Sequence, residues 1–359
     1  MEMDCTINNL AFEVNGMGLS YNKRFFELAG LDNAIEMSES HKKSCYDRWY
    51  DDNEREVINI VESRGVAVTN YDGLLNEIKT YVESTISYIS PVSIEVCEYR
   101  VYNANGYITL KKSLYLYEVD ISDEILRKFS IDDLSIKVYT INYLVPVGYN
   151  IAYHDMEMRG ECNKNENKIT ITCPSTNGKL NIISIREILT HEFNHYYKAK
   201  KIKEKGLKNL KCNIDQGKLG AYINGRDEVV SHMAFIIYRL WIPEEMQAGA
   251  ASVYGALKDT KLLRGNFGND VRITKAFEEY NKMGKWIESF KYITIDYPFK
   301  IAMQLLGINA TDIQQFKEWF INRSRWLNYE YLMRIGKAAS QAYDENELKD
   351  GNELPCNKD

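Results

Sequence analysis

The sequence predicts an α+β protein: a central sheet, one apolar helix after its last strand, and a mainly helical C-terminal part. Three observations carry this. The first ~90 residues follow helical period and capping rules. Residues from Ser93 to Val145 switch to runs rich in Val, Ile, Thr and Tyr that partly alternate. Beyond Ile182 the helical period returns and persists to about Tyr343.

In chain order, residues 1–90 form a helical N-terminal region that ends at Ser84–Ser90 and is punctuated by Pro91. The segments SIEVCEYRVY, YITLKKSLYLYEV and LSIKVYTINYLV read as strands of one antiparallel or mixed sheet. Asn103-Ala104-Asn105-Gly106 is a hairpin turn, since Asn-Gly tolerates the positive φ such turns require. Lys168–Cys173 is a short strand closed by Pro174, and Ile182 to about Lys201 is one helix with an apolar face. Asp227–Leu240 is the next helix, and Pro243 suits the first turn of another over Glu244–Lys258. Thr311-Asp312 starts a long amphipathic helix. The organisation expected is residues 91–258 as a core, 259–343 as a helical region and 344–359 as a polar, disordered tail.

The 359 residues suffice for one large or two ordinary domains. With 45% hydrophobic and 27% charged residues, and with 26 Tyr, 12 Phe and 5 Trp, the chain is not disordered as a whole. A membrane span needs roughly 18 consecutive apolar residues. The best run, around Val229–Tyr238, is far shorter and contains His232. A net charge of −6 gives no reason to expect nucleic acid as a partner. The seven cysteines have no paired spacing, so reduced thiols are expected. The first residues, MEMDCTINNL, lack the basic start of a secretory signal. Cytoplasm is the default, with secretion by another route or packaging in a virion left open.

The informative stretch is His191-Glu192-Phe193-Asn194-His195, an HExxH pattern inside the apolar helix. Residues four apart on a helix differ by about 40° in direction, so both imidazoles point the same way. Two neutral imidazoles can occupy two corners of a tetrahedral zinc site. Glu192 lies about 60° around the helix from His195, suited to a general base and not to ligation. Ile185, Ile188, Leu189, Phe193 and Tyr196 would pack this helix into the protein body.

Zinc needs a third protein ligand. His41 reads as solvated within SESHKKS, His154 as a loop residue, and His232 as a satisfied core histidine. Lys198 and Lys201 stand where the HExxHxxGxxH pattern needs Gly and His, which excludes that arrangement. A carboxylate on a later helix remains. Glu245 is the candidate, with Glu244 in reserve, and small residues Ala248–Ala251 would let that helix approach the motif helix. The competing reading is that both acids complement the helix dipole. The lysines from Lys198 to Lys211 read as a solvated helix end closed by Gly206. Trp319, Trp326, Tyr329 and Tyr331 read as helix-packing residues.

On these residues the chain resembles the zincin metallopeptidases, of the gluzincin type, over roughly residues 165–255. The resemblance implies a zincin-like α+β fold, with a central mixed sheet followed by an active-site helix. It implies one zinc ion per chain held by His191, His195 and Glu245, with Glu192 as the catalytic general base. It makes Ile169–Cys173 the edge strand that aligns an extended substrate. The implied activity is that of a zinc metalloendopeptidase, a hydrolase that cleaves peptide or protein substrates with a metal-activated water. Tyr222, His232 and Tyr254 are candidate oxyanion donors. Deformylases share HExxH but are much shorter and carry Asp where Asn194 stands. The alternative is a non-enzymatic structural or interaction protein, phage-associated, with a vestigial or structural metal site.

Overall fold

The computed structural model describes residues 56–57, 59–61, 70–151, 158–208, 214, 216–258, 267–308 and 310–352. By compactness the chain divides into a sheet unit, Arg64–Lys201, and a helical unit, Met1–Ser63 with Ile202–Asp359. No helix among the described residues is long and apolar enough to cross a membrane.

In the sheet unit, α1 (Tyr71–Ile86) precedes β1 (Ser93–Asn103) and β2 (Gly106–Asp120). Asn70 caps α1 by accepting from the Gly73 amide. The β1–β2 hairpin turns between paired Asn103 and Gly106, where Gly106 has φ 120°, as the Asn-Gly signal predicts. A short helix, α2 (Asp123–Lys128), follows, then β3 (Ser135–Tyr143), β4 (Asn150–Ile151), β5 (Arg159–Asn163), β6 (Lys168–Thr176) and β7 (Lys179–Leu180).

The sheet order is β4-β1-β2-β3-β6-β5, with β7 paired to the end of β6. The β3–β6 pair is parallel and the other pairs are antiparallel, so the sheet is mixed. This corrects one expectation. The strand containing Ile169–Cys173 is β6, which lies inside the sheet, and the edge beside it is β5. Pro174 also does not close the strand. It pairs opposite Ile141, beyond Thr172, where the β5 ladder ends, so the missing N–H falls past that ladder.

Period-2 alternation sends Ile169, Ile171 and Cys173 of β6 inward with Ile136 and Val138 of β3. They share a core with Leu74, Ile78 and Val82 of α1 and with Ile185, Leu189 and Phe193 of α3 (Ile182–Glu204). Burial of this kind contributes roughly 1.5–3 kcal/mol per large apolar side chain. The five apolar residues expected to seat α3 are all buried.

The helical unit contains α4 (Gln216–Ile223), α5 (Glu228–Ile236), a π-helical turn (Ile237–Trp241), α6 (Pro243–Leu257), α7 (Phe267–Arg272), α8 (Lys275–Ser289), α9 (Tyr297–Leu306) and α10 (Ile313–Asn352). Asp227 caps α5 through the Val230 amide, and Pro243 opens α6 as expected. Asp312 accepts from the Gln315 amide at the start of α10. Helix α10 continues through Asn352, so residues 344–352, expected as disordered tail, are helical. Trp326 and Tyr331 are buried in its core, while Trp241 stacks on Phe320 at 5.6 Å. Gly206, with φ 65°, follows the end of α3 in the left-handed conformation of a C-cap.

Candidate metal centre

Asn181 starts α3, its Oδ1 accepting from the Ile183 and Ser184 amides at 3.0 and 3.1 Å. The helix then buries an unusual set of polar residues: Arg186, Glu187, Thr190, Glu192, Asn194, His195 and Lys198. Some have structural partners. The Thr190 hydroxyl is 2.9 Å from that of Tyr71, and Arg186 faces Asp72 at 4.0 Å. Tyr196 donates to Asp133 at 2.5 Å, which Lys200 also reaches at 3.1 Å. The Tyr196 hydrogen bond, with Lys200, holds the Asp133 carboxyl below its ordinary range. Burial pushes the Lys198 ammonium down to about 8, with Lys201 adding to the effect. The basic run is therefore solvated only in part, because its first lysine is buried.

His191 and His195 present their Nε2 atoms 3.2 Å apart. Two zinc-bound imidazoles at about 2.0–2.1 Å in tetrahedral geometry would stand about 3.3 Å apart. The one-turn spacing therefore sets the two rings at chelating separation. Glu192 is 4% exposed on the same turn. Strand β5 crosses beside it: a Cβ built on Gly160 would lie 2.2 Å from Glu192 Oε1 and 2.7 Å from its Cγ and Cδ. The glycine is thus what lets this backbone approach the carboxylate.

Glu245 lies in the first turn of α6, and its side chain is 14% exposed. Among the described residues, one group of three or more His, Cys, Asp or Glu could hold a metal ion. It comprises His191, His195 and Glu245, with one ligand atom from each within 4.8 Å of the others. No family model, curated protein or solved structure matches this chain. The chemical reading therefore rests on the donor set itself. Two imidazoles and a carboxylate suit zinc and leave one position of four for water.

Glu244, the reserve ligand, is outside the group. His232, expected as a core histidine, is instead half-buried: it stacks on Trp286 at 3.9 Å and lies 3.8 Å from the exposed Glu228. Burial lowers its pKa, with Glu228 opposing. Tyr254 accepts from Lys258 at 2.6 Å, and Tyr222 packs against the helical core. His41 and His154 lie outside the described residues. Cys97, Cys162 and Cys173 are not in disulfides, and burial pushes the Cys173 thiol up to about 12.

Two residues escape motif reading. Gly160 has a weak signal, a lone glycine in a strand, which marks close backbone approach. Arg239 has a stronger one, a charge inside the apolar run FIIYRLWIP. Its guanidinium reaches Glu279 and Glu245, and a Cβ on Gly249 would lie 3.1 Å from Arg239 Nη1 and 2.8 Å from the Tyr331 hydroxyl. The small residue Gly249 thus makes room for these two side chains.

Proposed function

We propose that the protein is a zinc-dependent peptidase in which His191, His195 and Glu245 hold the ion and Glu192 is the general base. The observation that carries this reading is the 3.2 Å separation of the two histidine Nε2 atoms, with the buried Glu192 on the same turn.

Bound by these residues, zinc would supply a Lewis acid for the scissile carbonyl and lower the pKa of water. Glu192 accepts the proton of the attacking water and returns it to the departing amine, so the carboxylate is regenerated each cycle. Strand β5 supports the peptide part of the reading. Among the described residues it stands at the edge of the sheet, beside Glu192, a placement that suits an extended chain added as a further strand. Gly160 keeps that edge free of a side chain at the point nearest the base.

The test is elemental analysis and casein hydrolysis on wild type, His195→Ala and Glu192→Gln, purified without chelator and supplied with zinc. The expected result is about one zinc per chain, lost in His195→Ala and retained in Glu192→Gln, with hydrolysis by wild type alone. Metal-free wild type overturns the metal site. Zinc binding without hydrolysis of casein by wild type overturns the general-peptidase reading in favour of a structural metal site.

A further inference from the structure

We propose that Arg239, braced by Glu279, is a positioning residue that fixes the carboxylate of Glu245 for metal binding. The inference rests on the reading of Glu245 as a ligand.

Arg239 lies in the π-helical turn between α5 and α6, an interruption of α-helical geometry often found at functional sites. Its side chain is 11% exposed, and a charge taken from water needs partners. Glu279 on α8 supplies the close one. Arg239 Nε stands 2.9 Å from Glu279 Oε2, and Nη2 donates to Glu279 Oε1 at 3.1 Å. Arg239 thus meets Glu279 through two nitrogens, one in a hydrogen bond and one in a close ion pair. Glu245 takes the remaining side of the fork, with Oε2 3.8 Å from Arg239 Nη1.

The two contacts differ in closeness: Glu279 stands at hydrogen-bond distance, whereas Glu245 Oε2 meets the guanidinium at 3.8 Å, as a looser ion pair that orients the carboxylate. Gly249, one turn beyond Glu245, leaves the space that Arg239 Nη1 and the Tyr331 hydroxyl occupy. Outer partners that orient metal ligands in this way typically change affinity by about 10–100-fold when removed.

A single Arg239→Met change would strand buried carboxylates. The double variant Arg239→Met/Glu279→Met replaces the whole braced pair by apolar groups, which folds commonly tolerate. Zinc affinity is measured by competition with a chromophoric chelator, and thermal unfolding and the visible spectrum of the cobalt(II)-loaded protein are recorded alongside. The expected result is zinc bound about 10–100-fold more weakly, one site still filled at saturation, an altered cobalt spectrum, and a melting temperature near wild type. Arg239→Lys keeps the charge and loses the fork. It should weaken zinc binding in the same direction, and it decides the matter if the double variant does not fold. Glu245→Gln is run beside them. If it binds zinc like wild type, the ligand assignment is wrong and the proposal falls with it. If it binds poorly while the Arg239 variants match wild type within twofold, Glu245 is a ligand and only the positioning role is overturned.

Discussion

Gly160→Ala tests the approach of β5 to Glu192, the proposed general base. The added Cβ would sit 2.2 Å from Glu192 Oε1 and 2.7 Å from Cγ and Cδ. Non-bonded carbon contacts are comfortable at about 3.5 Å, so something must yield by about 1 Å. Rotating only the carboxylate does not help, because Cγ is also struck. The side chain must change rotamer or the strand must retreat. A misplacement of about 1 Å in a reacting group costs on the order of 100-fold in rate, and overpacking costs roughly 1–3 kcal/mol in stability. We expect kcat on fluorescent casein to fall about 100-fold while zinc content stays at the wild-type level. Urea unfolding gives a second readout that needs no substrate. In a Glu192→Ala background the obstructing side chain is gone, and Gly160→Ala should then cost little. The double-mutant cycle should return about 1–3 kcal/mol of coupling. A kcat within twofold of wild type, or equal costs in the two backgrounds, would refute the steric reasoning.

Other outcomes follow from the same geometry. Zinc at 1,000 times its dissociation constant should stabilise wild type by about 4 kcal/mol, read as a fall in melting temperature on adding chelator; His195→Ala should show no such response. Lys198 has its pKa depressed from 10.5 to about 8, so its burial opposes folding below pH 8, and the penalty is relieved as pH rises from 8 to 10.5. Lys198→Met should therefore be more stable than wild type at pH 7, by up to about 3 kcal/mol, and urea titrations should show the difference closing across that window. Tyr196→Phe removes the hydrogen bond to Asp133, while Lys200 remains, and should cost about 1–2 kcal/mol at pH 7. Because Asp133 is held below its ordinary pKa, that cost should shrink as pH falls through the carboxylate range.

An element is legible in the sequence when its determinants are local. The HExxH spacing is a one-turn feature, so the pairing of His191 with His195 is legible from helical geometry alone. The caps at Asp227 and Asp312, the Asn-Gly turn and Pro243 are local for the same reason. Strand order is not local. The resemblance implies that Ile169–Cys173 is an edge, and nothing within KITITCP states that Arg159–Asn163 pairs on its outer side. The polar residues 344–352 show the converse: helix α10 carries its period past the point where composition suggests an end. Glu245 has no such local signature and follows only by elimination of the histidines. The role of Gly160 depends on what lies across from it, which a lone glycine does not reveal.

The composition of α3 argues for a functional site more strongly than the motif does. A helix seated by Ile185, Leu189 and Phe193 would be more stable with apolar residues at its other inward positions, yet it buries Arg186, Glu187, Thr190, Glu192, Asn194, His195 and Lys198. Each such group must regain in the fold the hydrogen bonds or charge partners it loses from water, at a cost of about 1–3 kcal/mol where it does not. Tyr71, Asp72 and Asp133 repay part of this for Thr190, Arg186 and Tyr196, and so tie α3 to α1 and to the loop before β3. Those ties fix the rotation of the helix about its axis. That rotation decides which way His191 and His195 point and where Glu192 meets the backbone of Gly160. Packing alone would tolerate some slippage of an apolar helix on an apolar sheet. A polar lattice does not, because a small rotation breaks several directional contacts together.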